Sequence, residues 1–285
     1  MELTGKNVLV VGLARSGMAA IKVLHRLGAV ITLSESKKKE DIKELPELEK
    51  LGVTVVDQSM QVFEGNYALV VKNPGVPFRS PMMQRLAERN IPVITEIELA
   101  YNVAKPQHYV AITGTNGKTT TSTLVYELLA KTFPGKTHLC GNIGIPLCET
   151  VLENGLMEEG GHYIALEISN FQLVNIDRFR PEAAVILNLT PDHVDFMGSL
   201  DAYYKSKTEV YRNMSGSDLF LLNADDPVLA EYTAKYPVNC TVRTFSTDRS
   251  DTDSCVSGGY VCVNGEKVLP LDLIKICRIS SSPSR

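Results

Sequence analysis

At 285 residues, with 44% apolar and 22% charged side chains, the chain has an ordinary globular composition and is long enough for about two domains. A formal charge of −4 and a pI near 5.8, with no basic stretch, argue against nucleic acid as the main partner. No apolar run approaches the roughly 18 residues of a membrane span, the first residues lack a signal-peptide layout, and six cysteines without a Cys-x-x-Cys pair read as reduced thiols. The expected setting is the cytoplasm, away from membranes.

Residues 6–11 read as a valine-rich strand, followed by Gly12-Leu13-Ala14-Arg15-Ser16-Gly17 and a helix to about residue 27. Met18, Ile21, Leu24 and His25 mark the expected apolar face of that helix. Residues 30–33 form a second strand ending at Ser34 and Glu35. This is the opening of a doubly wound sheet, whose ligand crevice lies at the strand C-termini. A nicotinamide cofactor is one occupant to consider. Ala14, however, replaces the middle glycine that lets backbone approach a pyrophosphate closely. The same turn could hold the diphosphate of a nucleotide-sugar, with Glu35 near its uridine or ribose end. A Rossmann-like domain without a ligand is the third possibility.

A charged helix over residues 37–51 and strands over 53–56 and 67–72 come next. The last of these stops at Asn73-Pro74-Gly75-Val76-Pro77, where Pro-Gly suits a type II turn. Asn73 there is either a ligand contact or a cap for the turn. Residues 81–89 read as a helix and 91–95 as a strand. The first domain is expected to be residues 1–96.

Residues 109–113 are a β-branched and aromatic run, the profile of a buried strand. Gly114, Thr115, Asn116 and Gly117 follow, and Lys118, Thr119, Thr120 and Thr121 open a helix through Leu124, Leu128 and Leu129. Strand, glycine turn and helix N-terminus together make an anion site. Lys118 can reach outer phosphates, and the Thr119 hydroxyl is placed to ligate Mg²⁺. The usual P-loop spacing sets its first glycine where this chain has Ile112, so an ordinary turn with a solvated lysine is the competing reading. The hydroxyl run after Lys118 argues for the triphosphate.

Further on, a strand over residues 137–140 leads to Gly141-Asn142-Ile143-Gly144. Another over 163–168 carries Glu167 near its end, before Ser169-Asn170-Phe171-Gln172-Leu173. Glu167 suits a magnesium ligand or a carboxylate paired with a base. An apolar strand over 183–189 ends at Thr190-Pro191-Asp192-His193. Ser199 then caps a helix whose apolar face runs through Leu200, Tyr203, Tyr204, Val210, Tyr211 and Met214. Lys207 falls on that face; it either snorkels to water or carries a desolvated amine available for chemistry. A strand over 219–222 precedes a less regular region and a hairpin over 261–269 turning at Asn264-Gly265. Residues 277–285 lack apolar periodicity and are expected to be disordered.

In this order the motifs resemble the Mur ligases, ATP-dependent amide-bond-forming enzymes of peptidoglycan precursor synthesis. The resemblance rests on residues 113–120, on Gly141-Asn142-Ile143-Gly144, on Asn188-Leu189-Thr190-Pro191-Asp192-His193 and on Tyr203-Tyr204-Lys205-Ser206-Lys207. Residues 166–173, Gly12-Leu13-Ala14-Arg15-Ser16-Gly17 and Asn73-Pro74-Gly75 look like the D-glutamate-adding branch.

The resemblance implies an α/β protein: an N-terminal Rossmann-like domain for the UDP-substrate, then a P-loop ATPase domain with a mainly parallel sheet over residues 97–276. The implied substrates are UDP-N-acetylmuramoyl-L-alanine, ATP and D-glutamate, used by a monomer through an acyl phosphate. It implies that Gly114, Thr115, Asn116, Gly117, Lys118, Thr119 and Thr120 hold ATP. Thr119 and Glu167 would bind one Mg²⁺, with His193 and a carbamylated Lys207 serving a second. Lys118, Asn142, His193 and Lys207 are the implied catalytic set. Asn142, Ser169 and Gln172 would line the muramoyl side, and Arg15, Ser16, Glu35, Asn73 and Gly75 the UDP side. The family pattern continues past residue 276, so the resemblance implies a truncated member or one whose residues 277–285 are a frameshifted tail. UDP-substrate binding is expected to survive better than ligation, and a non-catalytic nucleotide-binding fragment is the alternative.

Overall fold

The computed structural model describes residues 1–77, 79–192 and 194–274. Within them the chain is α/β, built on two sheets that are mainly parallel.

The first sheet contains β1 (Asn7–Val11), β2 (Val30–Glu35), β3 (Thr54–Asp57), β4 (Leu69–Lys72) and β5 (Val93–Ile94), in the order β3-β2-β1-β4-β5 and parallel throughout. β1 lies at its centre, which is why its run Val8-Leu9-Val10-Val11 is buried on both faces instead of alternating. The chain winds outward from β1 through β2 and β3, then returns to add β4 on the other side. The crevice between the β1 and β4 C-termini is therefore the topological switch point where such sheets bind ligands. Helices α1 (Ala14–Arg26), α2 (Leu45–Lys50) and α3 (Pro81–Glu88) connect these strands.

Helix α4 (Glu96–Val103) leads to a nine-stranded sheet. Its strands are β6 (His108–Thr113), β7 (Thr137–Gly141), β8 (Tyr163–Glu167), β9 (Ala183–Ile186), β10 (Gly216–Asn223), β11 (Cys240–Ser246), β12 (Ser254–Ser257), β13 (Tyr260–Val263) and β14 (Glu266–Pro270). The order is β14-β13-β12-β11-β10-β9-β6-β8-β7, and only the β12-β13-β14 end is antiparallel. Its helices are α5 (Lys118–Thr132), α6 (Leu147–Glu153), α7 (Asn170–Leu173), α8 (Val194–Met197), α9 (Leu200–Thr208) and α10 (Pro227–Lys235). α1 packs against α4 and α6, so one apolar cluster takes in Ile21 and Leu24, Leu99, and Val151. Buried Glu98 on α4 ties the connection down, accepting from the N–H groups of Asp177, Arg178 and Phe179 at 3.1, 2.8 and 3.0 Å.

Several local expectations need correction. The charged helix over 37–51 is only a 3₁₀ turn at Lys39–Asp41 and α2, because Pro46 is tolerated in a first helical turn but not in an interior. His25 is exposed; α1 instead buries Gly17, Ala19, Ala20, Ile21, Val23 and Leu24. Gly17 has no room for a side chain, since a Cβ there would stand 2.3 Å from the Gly12 carbonyl oxygen. The turn after β4 closes from Val76 N–H to the Asn73 carbonyl at 3.0 Å, yet Gly75 is not among the positive-φ glycines, so it is not type II. α5 forms, but Leu124 and Leu128 are 59% and 66% exposed and Ser122 is its buried residue. The region after residue 223 is more regular than expected, holding α10, β11 and β12. The hairpin turn at Asn264-Gly265 has φ of 51° and 81°, the paired positive values of a type I′ turn. The stretch 277–285 lies outside the described residues.

Candidate active site

Two groups of candidate residues lie at strand C-termini, one on each sheet. On the nine-stranded sheet, β6 delivers the chain into Gly114-Thr115-Asn116-Gly117 and α5 carries it away. Gly114 has φ +141°, and a Cβ there would meet Leu187 Cβ at 3.0 Å. Only glycine lets the loop pass that close to the end of β9.

The loop is pinned from the β9 side. Asn188 accepts from the Asn116 N–H at 2.9 Å and donates back to the Asn116 carbonyl at 3.1 Å. Thr115 donates from its backbone to the Asn188 carbonyl at 3.0 Å and from its hydroxyl to the Thr190 carbonyl at 3.1 Å. The Asn116 amide donates to the Thr190 hydroxyl at 3.3 Å. Lys118 folds over the loop, its ammonium donating to the Gly114 and Thr115 carbonyls at 3.0 and 2.8 Å. Thr120 is exposed beside it.

A polar chain leads from this loop across the sheet. Thr119 donates its hydroxyl to Glu167 at 2.9 Å, and the Asn142 amide donates to the other Glu167 oxygen at 2.8 Å. Glu167 is buried, and the Asn142 N–H also reaches its carbonyl at 2.8 Å. No group of three or more His, Cys, Asp or Glu side chains among the described residues could by itself hold a metal. A hydroxyl and a carboxylate side by side are oxygen donors of the kind that Mg²⁺ takes. His193 lies outside the described residues.

Lys207 reaches the same loop from α9. It is 1% exposed, donates to the Gly114 carbonyl at 3.0 Å and lies 4.8 Å over the Tyr203 ring. Burial first, and the charge of Lys118 second, push its ammonium down to about 7. The lysine does not snorkel. Ser169 and Gln172 are turned toward each other: the Ser169 N–H and hydroxyl both donate to the Gln172 side-chain oxygen, at 2.9 and 3.0 Å. They set the start of α7 and are buried while doing so.

At the switch point of the first sheet, Asn73 donates its amide to the Ser16 hydroxyl at 2.9 Å and accepts from the Gly75 N–H at 2.9 Å. The bond from Gly75 is the turn cap expected of Asn73, and its amide at the same time reaches the start of α1. Glu35 accepts from the Leu13 N–H at 2.7 Å, the Ser36 N–H at 2.8 Å and the Lys37 N–H at 3.2 Å. Burial works against its ionised form, but these bonds outweigh it and hold the carboxyl below the usual range. Arg15 spans the two sheets, donating to the Gly144 carbonyl at 2.5 Å and pairing with Glu149 at 3.3 Å. It thus joins the Gly12–Gly17 turn to the loop that carries Asn142.

The role of Asn188 as the loop's anchor was not apparent beforehand. Its signal was an amide just past an apolar strand neighbouring the glycine loop. Glu98 gave no local sign, because its three partners are some eighty positions away.

The Mur ligase middle domain matches residues 112–267, and the Mur ligase MurD-like N-terminal domain matches residues 6–95. UDP-N-acetylmuramoylalanine--D-glutamate ligase of Geobacillus sp. is 37% identical over 266 residues, which cover 93% of this chain and 57% of that protein. The protein of the same name from Enterococcus hirae is 39% identical over 270 residues, again 93% of this chain and 57% of the relative. The chain therefore spans little more than half the length of these curated relatives. Among solved structures, UDP-N-acetylmuramate:L-alanyl-gamma-D-glutamyl-meso-diaminopimelate ligase from Neisseria meningitides superposes with a TM-score of 0.58 at 17% identity, over 93% of this chain and 86% of that one. A murein peptide ligase from Psychrobacter arcticus gives 0.54 at 17% identity, over 92% of this chain and 59% of that one. At such identity the likeness is one of fold. The sequence matches go further: with its middle domain matched across more than half of its length, the chain belongs to the Mur ligase family.

Proposed function

We propose that this chain carries the nucleotide sites of an ATP-dependent ligase that joins D-glutamate to UDP-N-acetylmuramoyl-L-alanine. The observation that carries the reading is the hydrogen-bonded series Thr119–Glu167–Asn142, which connects the phosphate loop to the Gly141–Gly144 turn facing Arg15. A triphosphate on one sheet and a UDP-sugar on the other would meet there.

In this reading the substrate carboxylate attacks the γ-phosphorus of ATP, the bond to the β,γ-bridging oxygen breaks, and ADP leaves. The neutral amine of D-glutamate then attacks the acyl phosphate carbon. The carbon–oxygen bond to phosphate breaks, phosphate departs, and the nitrogen loses a proton to solvent. Lys118 leaves its loop carbonyls to neutralise phosphate charge, while the N–H groups at the start of α5 donate to the anion. Thr119 and Glu167 would hold one Mg²⁺, and His193 and a carbamylated Lys207 a second. When bound, the ions supply charge neutralisation and orient the phosphoryl oxygens. Asn142 sits between the two sites and steadies the carboxylate being phosphorylated. Ser169 and Gln172 shape its wall through α7, and Glu35 acts on the UDP side by bracing the Leu13 N–H. Arg15, Ser16, Asn73 and Gly75 face that side directly. The reading places the protein in the cytoplasm as a monomer; no helix among the described residues is long and apolar enough to cross a membrane.

The test is phosphate release measured with ATP and UDP-N-acetylmuramoyl-L-alanine, with and without D-glutamate, and product identified by mass spectrometry. Release that depends on both substrates supports ligation. Binding of both nucleotides without turnover would identify a non-catalytic binding fragment instead.

A further inference from the structure

Lys72 ends β4, directly beside Val11 in the register of β1, so it sits beneath the switch point where Gly12 and Asn73 begin their turns. It is 2% exposed. A lysine at a strand end ordinarily extends its ammonium into water. This one turns inward, donating to the carbonyls of Asn73 and Val76 at 3.1 and 2.9 Å. Among the described residues no carboxylate pairs with it and its third N–H meets no acceptor. An unpaired buried charge is costly, and burial alone pushes the ammonium down to about 8.

The two carbonyls it holds are the ends of the turn that Asn73 and Val76 close on themselves. That turn lies against the glycine loop: a Cβ at Gly12 would stand 3.1 Å from Asn73 Cβ and 3.2 Å from a Val76 methyl. From it the Asn73 amide reaches Ser16 at the start of α1. Lys72 therefore fixes the turn that positions Asn73, and it places an uncompensated positive charge under the loop at the same time.

We propose that Lys72 is a positioning residue of the first-sheet ligand site, clamping the Asn73–Val76 turn and biasing the site toward an anionic, diphosphate-bearing nucleotide over the neutral nucleoside. The inference rests on the nucleotide-sugar reading given above. A purely structural lysine would affect both kinds of ligand alike. A charge under the loop favours the diphosphate selectively.

The experiment is calorimetric titration of the full chain with UDP and with uridine, for the wild type, Lys72→Met and Lys72→Arg. The wild type should prefer UDP. Lys72→Met should weaken UDP binding by about tenfold or more while changing uridine by less than about threefold, and Lys72→Arg should retain most of the preference. No UDP binding by the wild type would sink the nucleotide-sugar reading itself. A wild type that binds UDP, with Lys72→Met keeping the same UDP-to-uridine ratio, would overturn the Lys72 inference alone. If Lys72→Met shows no cooperative melting, Lys72→Arg decides: a wild-type ratio supports the proposal, and a ratio near one refutes it.

Discussion

The hydroxyl of Thr119 and the carboxylate of Glu167 meet at 2.9 Å although 48 positions separate them, one opening α5 and the other closing β8. Parallel neighbours β6 and β8 bring their C-terminal ends to the same edge, and the helix leaving β6 delivers its first turn onto the end of β8. Glu167→Gln keeps the shape of this contact and removes the charge. Turnover of ATP in the presence of Mg²⁺ should fall by about 10²-fold or more while the far-ultraviolet dichroism stays unchanged. Phosphate release measured across a Mg²⁺ titration checks it; a wild-type response would remove Glu167 from the proposed metal site.

Lys118→Ala should abolish triphosphate binding and leave UDP-sugar binding near normal. Among the described residues the Lys118 ammonium donates only to its own loop, and the first-sheet residues Ser16 and Asn73 depend on none of its bonds. Paired calorimetric titrations with a non-hydrolysable ATP analogue and with UDP-N-acetylmuramoyl-L-alanine give the answer. Equal loss of both would mean that the substitution had unfolded the chain.

Glu96 should make stability fall with rising pH. It is buried where α4 meets α6, with one oxygen accepting from the Cys148 N–H and the other without a partner among the described residues. Burial pushes its pKa from 4.5 up to about 7. The folded chain then binds the proton more tightly than the unfolded chain. The penalty is absent below about 4.5, grows as pH rises, and is complete above about 7. Glu96→Gln should therefore melt several degrees above the wild type at alkaline pH and converge with it in acid. Thermal melts across that range would show it, and a constant gap at every pH would contradict it.

Gly17→Ala should destabilise the chain by about 1–3 kcal/mol, as overpacking does, because the new methyl would collide with a backbone oxygen that cannot swing aside. The collision also pushes α1 away from the Gly12 turn, so UDP-sugar affinity should drop while triphosphate affinity holds. Urea midpoints and the two titrations would report this. Unchanged stability would show that the turn has room the geometry denies it.

Much of the molecule was readable in the chain because its signals are local. The runs Val8-Leu9-Val10-Val11 and Val110-Ala111-Ile112 form strands from their own apolar, β-branched composition, and glycines 114 and 117 mark a turn wherever the strand leads. Ser199 caps α9 through a bond from an N–H group three residues away. Asn264-Gly265 closes its hairpin for an equally short-range reason. The boundaries of α2 were also local, and Pro46 should have set them.

What the tertiary structure alone decided was the state of individual polar groups, because burial and pairing depend on partners that arrive from far along the chain. Lys207 loses its solvent because α9 folds over Gly114, 93 positions away. Asn73 reaches Ser16 only because winding returns β4 to the side of β1. Glu96 becomes a weak acid because α6 covers it, and Leu124 and Leu128 stay in water because no described element covers them. A residue type carries its chemistry in the sequence. The local dielectric and the hydrogen-bond partners that set its charge exist only after the sheets have assembled.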